Sequence, residues 1–476
     1  MVFSSPVFLF LFLPLTLLFV LLAGRRHAQN TVLLIASLLF YAWGEGAYVI
    51  LMLAVVLVNY LAGLAIERLP SPRVSLVIAI TLNLGALAWF KYANFLVDGI
   101  DKLITGGSFP PIRLERIHLP IGVSFFIFQG LSYAVDVYRG QARAQTRPGA
   151  VALYISLFPQ LIAGPIVRYR DIAAQLEDRR VDVSLFASGV RRFVVGLAKK
   201  VLIADQVARI ADAVFKVDVD HLPPAVSWLG LVAYAVQIYF DFSGYSDMAI
   251  GLGRMFGFTF LENFRRPYIA RSVREFWQRW HISLSTWFRD YLYIPLGGNR
   301  GGAARTYANL LVVFFLTGLW HGASWNFVVW GLIHGLFMII ERMGFGRVLE
   351  RLPRPLSNTY LVFVVLLAWV FFRLEDLTEA WHYLLSLFGG VPGDAHLYYP
   401  SLFLSHTTAL ALIIGVLGAL DVHAFLARRL GMASAPDALG SGWRGAFEVV
   451  GLGILLMLVA MSISASTFSP FIYFRF

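Results

Sequence analysis

Long apolar stretches, separated by short polar or basic segments, fill almost the whole chain. A straight transmembrane helix needs about 20 mainly apolar residues. The stretches that reach or approach this length are residues 7–23, 32–43, 47–66, 74–90, 119–137, 151–167, 225–242, 310–320, 325–340, 359–372, 407–420 and 447–463. The pattern predicts an all-α, polytopic integral membrane protein with about 11 or more transmembrane or re-entrant helices.

Several of these stretches are short or broken by proline and glycine. Residues 32–43 are too few for a straight span, and residues 151–167 contain Pro159 and close with Gly164 and Pro165. Irregular backbone at membrane depth must be buried in protein or line a cavity, so we expect re-entrant or buried helices there. No repeat or long linker divides the chain, and residues 1–476 are expected to form a single membrane domain.

The composition supports this class and excludes others. Hydrophobic residues make up 58% of the 476 residues and charged residues 14%, a balance typical of polytopic membrane proteins. The absence of cysteine excludes disulfides, thiolate metal sites and a cysteine-bound acyl thioester. A net charge of +11 also suits nucleic-acid binding, but basic residues in membrane proteins usually mark cytoplasmic loops, so no nucleic-acid partner is expected.

Charge also predicts which side of the membrane each loop faces. Basic residues cluster at 25–26, 139–147, 168–200, 264–305 and 342–354. The positive-inside rule places these clusters in the cytoplasm and the acidic segments 212–220 and 375–394 on the outer side. Both termini are then expected outside, including the tail at residues 464–476.

Two histidines stand in surroundings that are unusual for a membrane protein. His281 lies in the aromatic, arginine-rich string FWQRWHISLSTWFRDY, and His321 ends an apolar stretch in the string WHG. Neutral imidazole, with a reference pKa of about 6.5, accepts a proton near neutral pH without carrying permanent charge into the membrane. This suits a general base for a hydroxyl acceptor, and we expect Gly322 and Ala323 to leave the His321 ring uncrowded by neighbours. The alternative is a pair of interfacial histidines without chemistry.

A metal site would be a competing chemistry for these histidines. It needs a third ligand, and the sequence has no HExxH string or similarly tight spacing, so no metal is expected. His334 follows His321 by thirteen residues, which places it off the same helical face, and it is interpreted as structural.

Charged residues beside the apolar stretches allow two interpretations. Asp241 and Asp247 interrupt an apolar stretch, and they either brace neighbouring basic groups or line a polar tunnel. The arginine-rich residues 265–305 form either a plain cytoplasmic face or a site for a phosphate-bearing donor, because arginine binds phosphate through two parallel hydrogen bonds.

Several strings together carry a resemblance to a known family. They are MVFSS at residues 1–5 with FLF at 8–10, LPIGVSF at 119–125, FPQLIAGP at 158–165, residues 241–251, residues 276–299, and LWHGASW at 319–325. The chain resembles the membrane-bound O-acyltransferase family, in the branch that acetylates bacterial exopolysaccharides. The resemblance runs nearly end to end and is weakest in the C-terminal third.

This resemblance implies a fold and a reaction. The helices are expected to surround a central polar tunnel in the inner membrane, with periplasmic termini. An acetyl group from cytoplasmic acetyl-CoA is expected to reach a polysaccharide outside, with alginate first and peptidoglycan, cellulose or another polymer as alternatives. A periplasmic acetyltransferase of the serine-hydrolase-like type is the expected partner, because a tunnel within membrane lipid cannot thread a long hydrated polymer.

The resemblance also assigns candidate residues. The family's catalytic histidine in the WHG string corresponds to His321, and the upstream partner position corresponds to His281. The further candidates, tryptophans that wall the tunnel and arginines that hold the donor, are Trp280, Trp287, Trp320, Arg279 and Arg289.

The tail carries one more candidate, Tyr473, in the aromatic string PFIYFRF. It is either an interfacial anchor or, as in the related D-alanylation system, an acyl carrier at the outer mouth that His321 activates. Two functions of other classes stay open on the sequence alone: a transporter or lipid-linked sugar flippase, and a non-catalytic scaffold of an export complex.

Overall fold

The computed structural model of the chain describes residues 1–105, 114–422 and 443–465. Every regular element in these ranges is a helix, as the apolar pattern predicts. Seven helical segments there are long and apolar enough to cross a membrane, accompanied by three shorter apolar helices. The seven are Arg26–Arg68, Pro72–Asp101, Pro224–Met255, Gly302–His321, Trp325–Arg351, Arg354–Arg373 and Gly445–Ala465. The larger count of about eleven helices or more and the central tunnel stay predictions.

Residues 1–189 and 252–261 form one compact unit. Its helices are α1 (Leu13–Leu22), α2 (Arg26–Glu45), α3 (Val49–Arg68), α4 (Pro72–Leu87), α5 (Ala93–Thr105), α6 (Val123–Tyr138), α7 (Pro148–Ser156), α8 (Phe158–Leu161) and α9 (Tyr169–Glu177). Two buried amides join α3 to α4, because Asn59 and Asn83 each donate to the other's Oδ1, at 3.0 and 3.1 Å. Reciprocal bonds satisfy these polar groups inside an apolar bundle.

The two stretches that the sequence predicts to be short or broken differ from each other. Residues 151–167 are broken as predicted: α7 ends at Ser156, Leu157 leaves helical geometry at ψ 111, and α8 starts with Pro159 in its first turn. Residues 32–43 instead belong to the continuous 20-residue α2, so the expectation of a helix too short for a straight span is wrong. The polar residues 26–31 extend this helix beyond its apolar stretch.

Residues 190–251 and 262–476 form the second unit. The helices that lie wholly or mostly within it are α10 (Val183–Ala198), α11 (Asp205–Val214), α12 (Pro224–Met255), α13 (Val273–Trp277), α14 (Ile282–Phe288), α15 (Gly302–His321), α16 (Trp325–Ile340), α17 (Gly346–Arg351), α18 (Arg354–Arg373), α19 (Leu377–Ser386), α20 (His406–Ala419) and α21 (Trp443–Ala465). Most of α12 is buried, whereas α21 exposes nearly its whole length.

Helix α12 continues through the two carboxylates that interrupt its apolar stretch. Asp241 pairs with Lys200 at 2.8 Å, and Asp247 pairs with Lys199 and Arg192 at 2.6 Å each. Buried carboxylates that have cationic partners need not break a helix, since their charge is compensated where they lie. The bracing interpretation of these residues is therefore confirmed, and no interruption of the helix occurs.

Helices α15 and α16 form a tight hairpin, since only residues 322–324 connect them. A Cβ atom on Gly331 would lie 2.2 Å from the carbonyl oxygen of Phe314, so glycine allows the two backbones to approach. The same close approach by small residues is common between membrane helices. It brings the end of α15, where His321 lies, against the first turns of α16.

Candidate active site

His321 is the last residue of α15, and its ring is enclosed by aromatic side chains. Trp320 and Trp330 meet it edge-on with ring centroids 4.9 Å away, and Phe372 lies at 5.2 Å. Only 2% of the residue is exposed. The expectation of an uncrowded ring is wrong, because Trp330 and Phe372 arrive from α16 and α18 and are not neighbours in the sequence.

Gly322 has a different reason for following this histidine. A Cβ atom there would lie 2.2 Å from Cε2 of Phe327, and an atom cannot occupy that distance without displacing the ring. The glycine lets the ring of Phe327 approach the backbone after His321 and pack against Phe372, with ring centroids 5.1 Å apart. Its function is to permit the packing around His321.

His281 lies in the turn between α13 and α14, in a backbone conformation that few non-glycine residues adopt. Its φ of 44 and ψ of 52 are left-handed, and such a residue costs on the order of 1–3 kcal/mol. The residue is fully buried, and its Nδ1 lies 3.2 Å from Oδ1 of Asn263. Strain of this kind persists only where surrounding contacts fix it, and it often marks a functional position.

The structure brings the two histidines together, although forty residues separate them in the chain. Their ring centroids are 6.5 Å apart, and Trp320 contacts both, at 6.0 Å from His281. This separation allows two nitrogens to communicate through one bridging water or one bound hydroxyl. The pair has the spacing that a shared proton-handling site requires.

Burial keeps His281 neutral. Desolvation lowers the pKa of this imidazole, which lies outside the seven candidate spans, to about 3. At neutral pH the ring therefore holds one proton and one lone pair, and it is too weak a base to take a proton permanently. The geometry favours His281 as a neutral hydrogen-bonding partner of His321.

A cavity of about 430 Å³ lies in the same unit as the two histidines. Its polar lining includes Arg274, Arg289 and Arg342, and its apolar wall includes Trp277. Trp277 contacts Trp330 at 5.8 Å, and Trp330 contacts His321. A row of aromatic rings thus connects an arginine-lined cavity to the buried histidine, and the cavity is large enough for part of a cofactor-sized ligand.

The family model described as MBOAT, membrane-bound O-acyltransferase family, matches residues 75–377. This range covers both histidines and the whole cavity lining. The chain belongs to the membrane-bound O-acyltransferase family. It is an O-acyltransferase and a multi-pass membrane protein, and this class replaces the transporter and the scaffold that the sequence alone left open.

The acyltransferase is similar over most or all of its length to bacterial proteins. It is 42% identical to the "Probable alginate O-acetylase AlgI" of Azotobacter vinelandii, over 100% of both chains. It is 46% identical to the protein of the same name from Pseudomonas aeruginosa, over 82% of this chain and 75% of that one. It is 35% identical to the "Peptidoglycan O-acetyltransferase" of Helicobacter pylori, over 82% of this chain and 80% of that one.

The tryptophans predicted to wall the acyltransferase site lie in three different places. Trp320 contacts both histidines. Trp280 lies in an aromatic cluster behind His281, stacked on Phe276 at 5.6 Å and 5.1 Å from Trp369. Trp287 packs against Tyr291 at 5.1 Å. The structure therefore brings Trp320 to the histidines and places Trp280 and Trp287 in supporting layers.

The two predicted donor-binding arginines also differ in position. Arg289 lines the cavity and bonds Asp290 through Nε at 2.8 Å. Arg279 bonds Glu275 at 2.8 Å and the carbonyl oxygen of Arg265 at 3.0 Å, so its guanidinium is already occupied within its own loop. Arg274 also lines the cavity and lies within the arginine-rich residues 265–305 that the sequence analysis considered for a donor site, whereas sequence reasoning did not single out Arg342, whose only signal was membership in a basic segment.

The tail tyrosine, a metal site and His334 are the other candidates considered from the sequence. Tyr473 lies outside the described residues. Within residues 1–105, 114–422 and 443–465, no group of three or more His, Asp or Glu side chains is arranged to hold a metal. His334 is fully buried among Trp277, Trp330 and Phe276, and neither ring nitrogen has a hydrogen-bond partner in that part of the chain.

Proposed function

We propose that this O-acyltransferase moves an acetyl group from cytoplasmic acetyl-CoA, across the inner membrane, to hydroxyl groups of an extracytoplasmic polysaccharide, with alginate as the polymer. The observation that carries the proposal is the buried pair of His281 and His321, 6.5 Å apart. The names of the relatives from Azotobacter vinelandii and Pseudomonas aeruginosa support acetyl as the group and alginate as the acceptor.

Acetyl-CoA fits the arginine-lined cavity by charge and position. Guanidinium groups of Arg274, Arg289 and Arg342 suit the phosphates of a coenzyme A thioester. These arginines belong to the basic segments that the positive-inside rule assigns to the cytoplasm. We propose that the phosphates bind there and that the thioester end extends past Trp277 toward His321.

The reaction needs a base, an oriented thioester and a dry site. His321 accepts the proton of the acceptor hydroxyl while the oxygen of that hydroxyl attacks the acetyl carbonyl carbon. The new C–O bond forms, the C–S bond breaks, and the leaving thiolate takes the proton back from His321. Trp320, Trp330 and Phe372 hold the imidazole and exclude water, which would otherwise hydrolyse the thioester.

The outer side of the reaction involves a partner. We propose that a periplasmic acetyltransferase of the serine-hydrolase-like type takes the acetyl group and modifies the polymer. The two acidic segments assigned to the outer side lie together: His382 meets Asp220 at 3.3 Å, and the amide of Asp394 donates to the carbonyl of His221. They form one acidic surface for docking. Tyr473 is proposed as the acyl carrier between His321 and that partner.

The decisive experiment uses the full-length protein in lipid vesicles with labelled acetyl-CoA and a small hydroxyl acceptor. His321→Ala should lower acetyl transfer by about 10²–10⁴-fold, the usual contribution of a general base. The matched control is His396→Ala, which removes an exposed histidine and should leave the rate unchanged. A transfer rate for His321→Ala equal to that of the control would refute the proposed mechanism.

A second acceptor is favoured by one comparison. The relative from Helicobacter pylori is named a peptidoglycan O-acetyltransferase and is 35% identical over 430 residues. Measuring the acetyl content of both polymers in a deletion strain separates the candidates. Loss of acetyl from secreted polysaccharide with unchanged peptidoglycan supports alginate as the acceptor, and the reverse pattern assigns peptidoglycan.

A further inference from the structure

Asn263 makes an unusual number of bonds to the turn that carries His281. Its carbonyl oxygen Oδ1 accepts from the backbone N–H of Ser283 at 3.2 Å and from the Ser283 hydroxyl at 2.8 Å. Its backbone carbonyl accepts from the N–H of Ile282 at 3.0 Å. Its Nδ2 donates to the hydroxyl of Ser246 at 3.0 Å. Asn263 is fully buried, so these bonds are shielded from water.

These bonds determine the tautomer of His281. A backbone N–H can only donate, so the Asn263 atom facing Ser283 must be the oxygen rather than the amide nitrogen. Nδ1 of His281 lies 3.2 Å from the same oxygen. Two acceptors cannot share a hydrogen bond, so Nδ1 carries the proton of the neutral ring. Nε2 therefore carries the lone pair.

We propose that Asn263 is a positioning residue of the acyl transfer, which holds His281 in its strained turn as the Nδ1–H tautomer so that Nε2 is the nitrogen that accepts a hydrogen bond. The inference rests on the proposed function, because it assigns His281 to the same reaction as His321. A base oriented by a third group is a recurrent arrangement in acyl-transfer enzymes. Here a neutral amide orients the partner histidine.

A single arginine braces both ends of this arrangement. Arg192 bonds Glu262, the residue before Asn263, through two contacts at 3.2 and 2.6 Å. Arg192 also bonds Asp247, the residue after Ser246, through Nε at 2.7 Å. The hydrogen bond between Asn263 and Ser246 is thus flanked by two ion pairs to one guanidinium. This brace fixes the loop that carries Asn263 against α12.

The charges near His281 permit a pH test. Burial lowers the pKa of His281. The titratable group that faces it from α15 is His321, at 6.5 Å. On α12 the nearby carboxylates are Asp241 and Asp247, and both are ion-paired with basic residues. The charges around His281 therefore stay unchanged when a carboxylate is added beside Nδ1, and a change in the pKa of the ring can be assigned to that carboxylate.

The experiment measures kcat and KM for acetyl-CoA against pH, with the full-length protein in vesicles. Asn263→Ala should lower kcat on the order of 10²-fold with little change in KM, since it frees the ring to misorient. Asn263→Asp keeps an oxygen beside Nδ1 and adds a negative charge, which raises the pKa of the ring. Because the neutral ring is the active form, the acidic limb of the kcat profile should move to higher pH.

Ser246→Ala is the matched control. It removes only the bond to Nδ2 and leaves Oδ1 with His281, so kcat should fall far less than in Asn263→Ala and the pH profile should not move. Wild-type kcat in Asn263→Ala, or an unshifted acidic limb in Asn263→Asp, overturns the inference. Wild-type activity in His321→Ala would refute the proposed function instead, so the two failures are distinguishable.

Discussion

Gly331→Ala tests whether the close approach of α15 and α16 sets the position of His321. The added Cβ would lie 2.2 Å from the carbonyl oxygen of Phe314, and ordinary van der Waals contact begins at 3.4 Å. A backbone carbonyl oxygen is fixed within its helix and cannot rotate away from the added atom as a side chain can. Helix α16 must therefore move away from α15 by about 1.2 Å, the difference between these two distances.

This displacement bears directly on the site, because Trp330 precedes Gly331 and packs against His321. A misplacement of about 1 Å costs on the order of 10²-fold in rate when catalytic groups must be aligned. Overpacking of this kind also costs about 1–3 kcal/mol of stability. We expect a lower unfolding midpoint in detergent and a loss of about 10²-fold in acetyl transfer.

Gly451→Ala provides the control, since a Cβ there meets nothing within 4 Å and the residue likewise lies in a candidate membrane-spanning helix. It should leave the transfer rate unchanged and the midpoint equal or slightly higher, because alanine favours the helix over glycine. If Gly331→Ala matched Gly451→Ala in both midpoint and rate, the two helices would not be held at the distance described.

Three further predictions follow from the charged groups and the tail. Lys200→Met should destabilise the fold by about 3 kcal/mol, because it leaves Asp241 buried without its cation, and adding Asp241→Asn should restore most of the midpoint. Arg342→Gln should raise the KM for acetyl-CoA about tenfold at unchanged kcat, the loss of one charge-assisted bond, whereas the exposed Arg347→Gln should not. Tyr473→Phe keeps the ring and removes the nucleophile, so polymer acetylation in cells should cease at unchanged protein level; normal acetylation would make the tail an anchor.

The all-helical class could be predicted from the sequence, because backbone N–H and C=O groups within a bilayer must form their hydrogen bonds inside the protein, and an apolar helix does this within one segment. Helix ends were less accessible: α2 extends through polar residues that no apolar count includes. The continuation of α12 through Asp241 depends on Lys200, which lies forty-one residues earlier in the chain. No local pattern reveals that such distant residues meet.

The candidate site likewise has parts that the sequence predicts and parts that only the structure shows. The strings around His281 and His321 identified both histidines, but the enclosure of His321 depends on rings from two other helices. Asn263 has no motif of its own, and only the folded turn shows what it bonds. Arg279 pairs with Glu275 although it lies past the end of α13 at Trp277, so the helical spacing of four residues did not by itself predict this bond.

The left-handed turn at His281 has a consequence for how this enzyme can be improved. Glycine adopts a φ of 44 without strain, so substituting glycine at this position should relieve about 1–3 kcal/mol of backbone strain. The same substitution empties the fully buried space that the imidazole fills, and the loss of a large buried ring costs about 3–5 kcal/mol. Engineering for heat tolerance that follows backbone preference alone would therefore choose this position wrongly, and would lose both packing and the partner histidine.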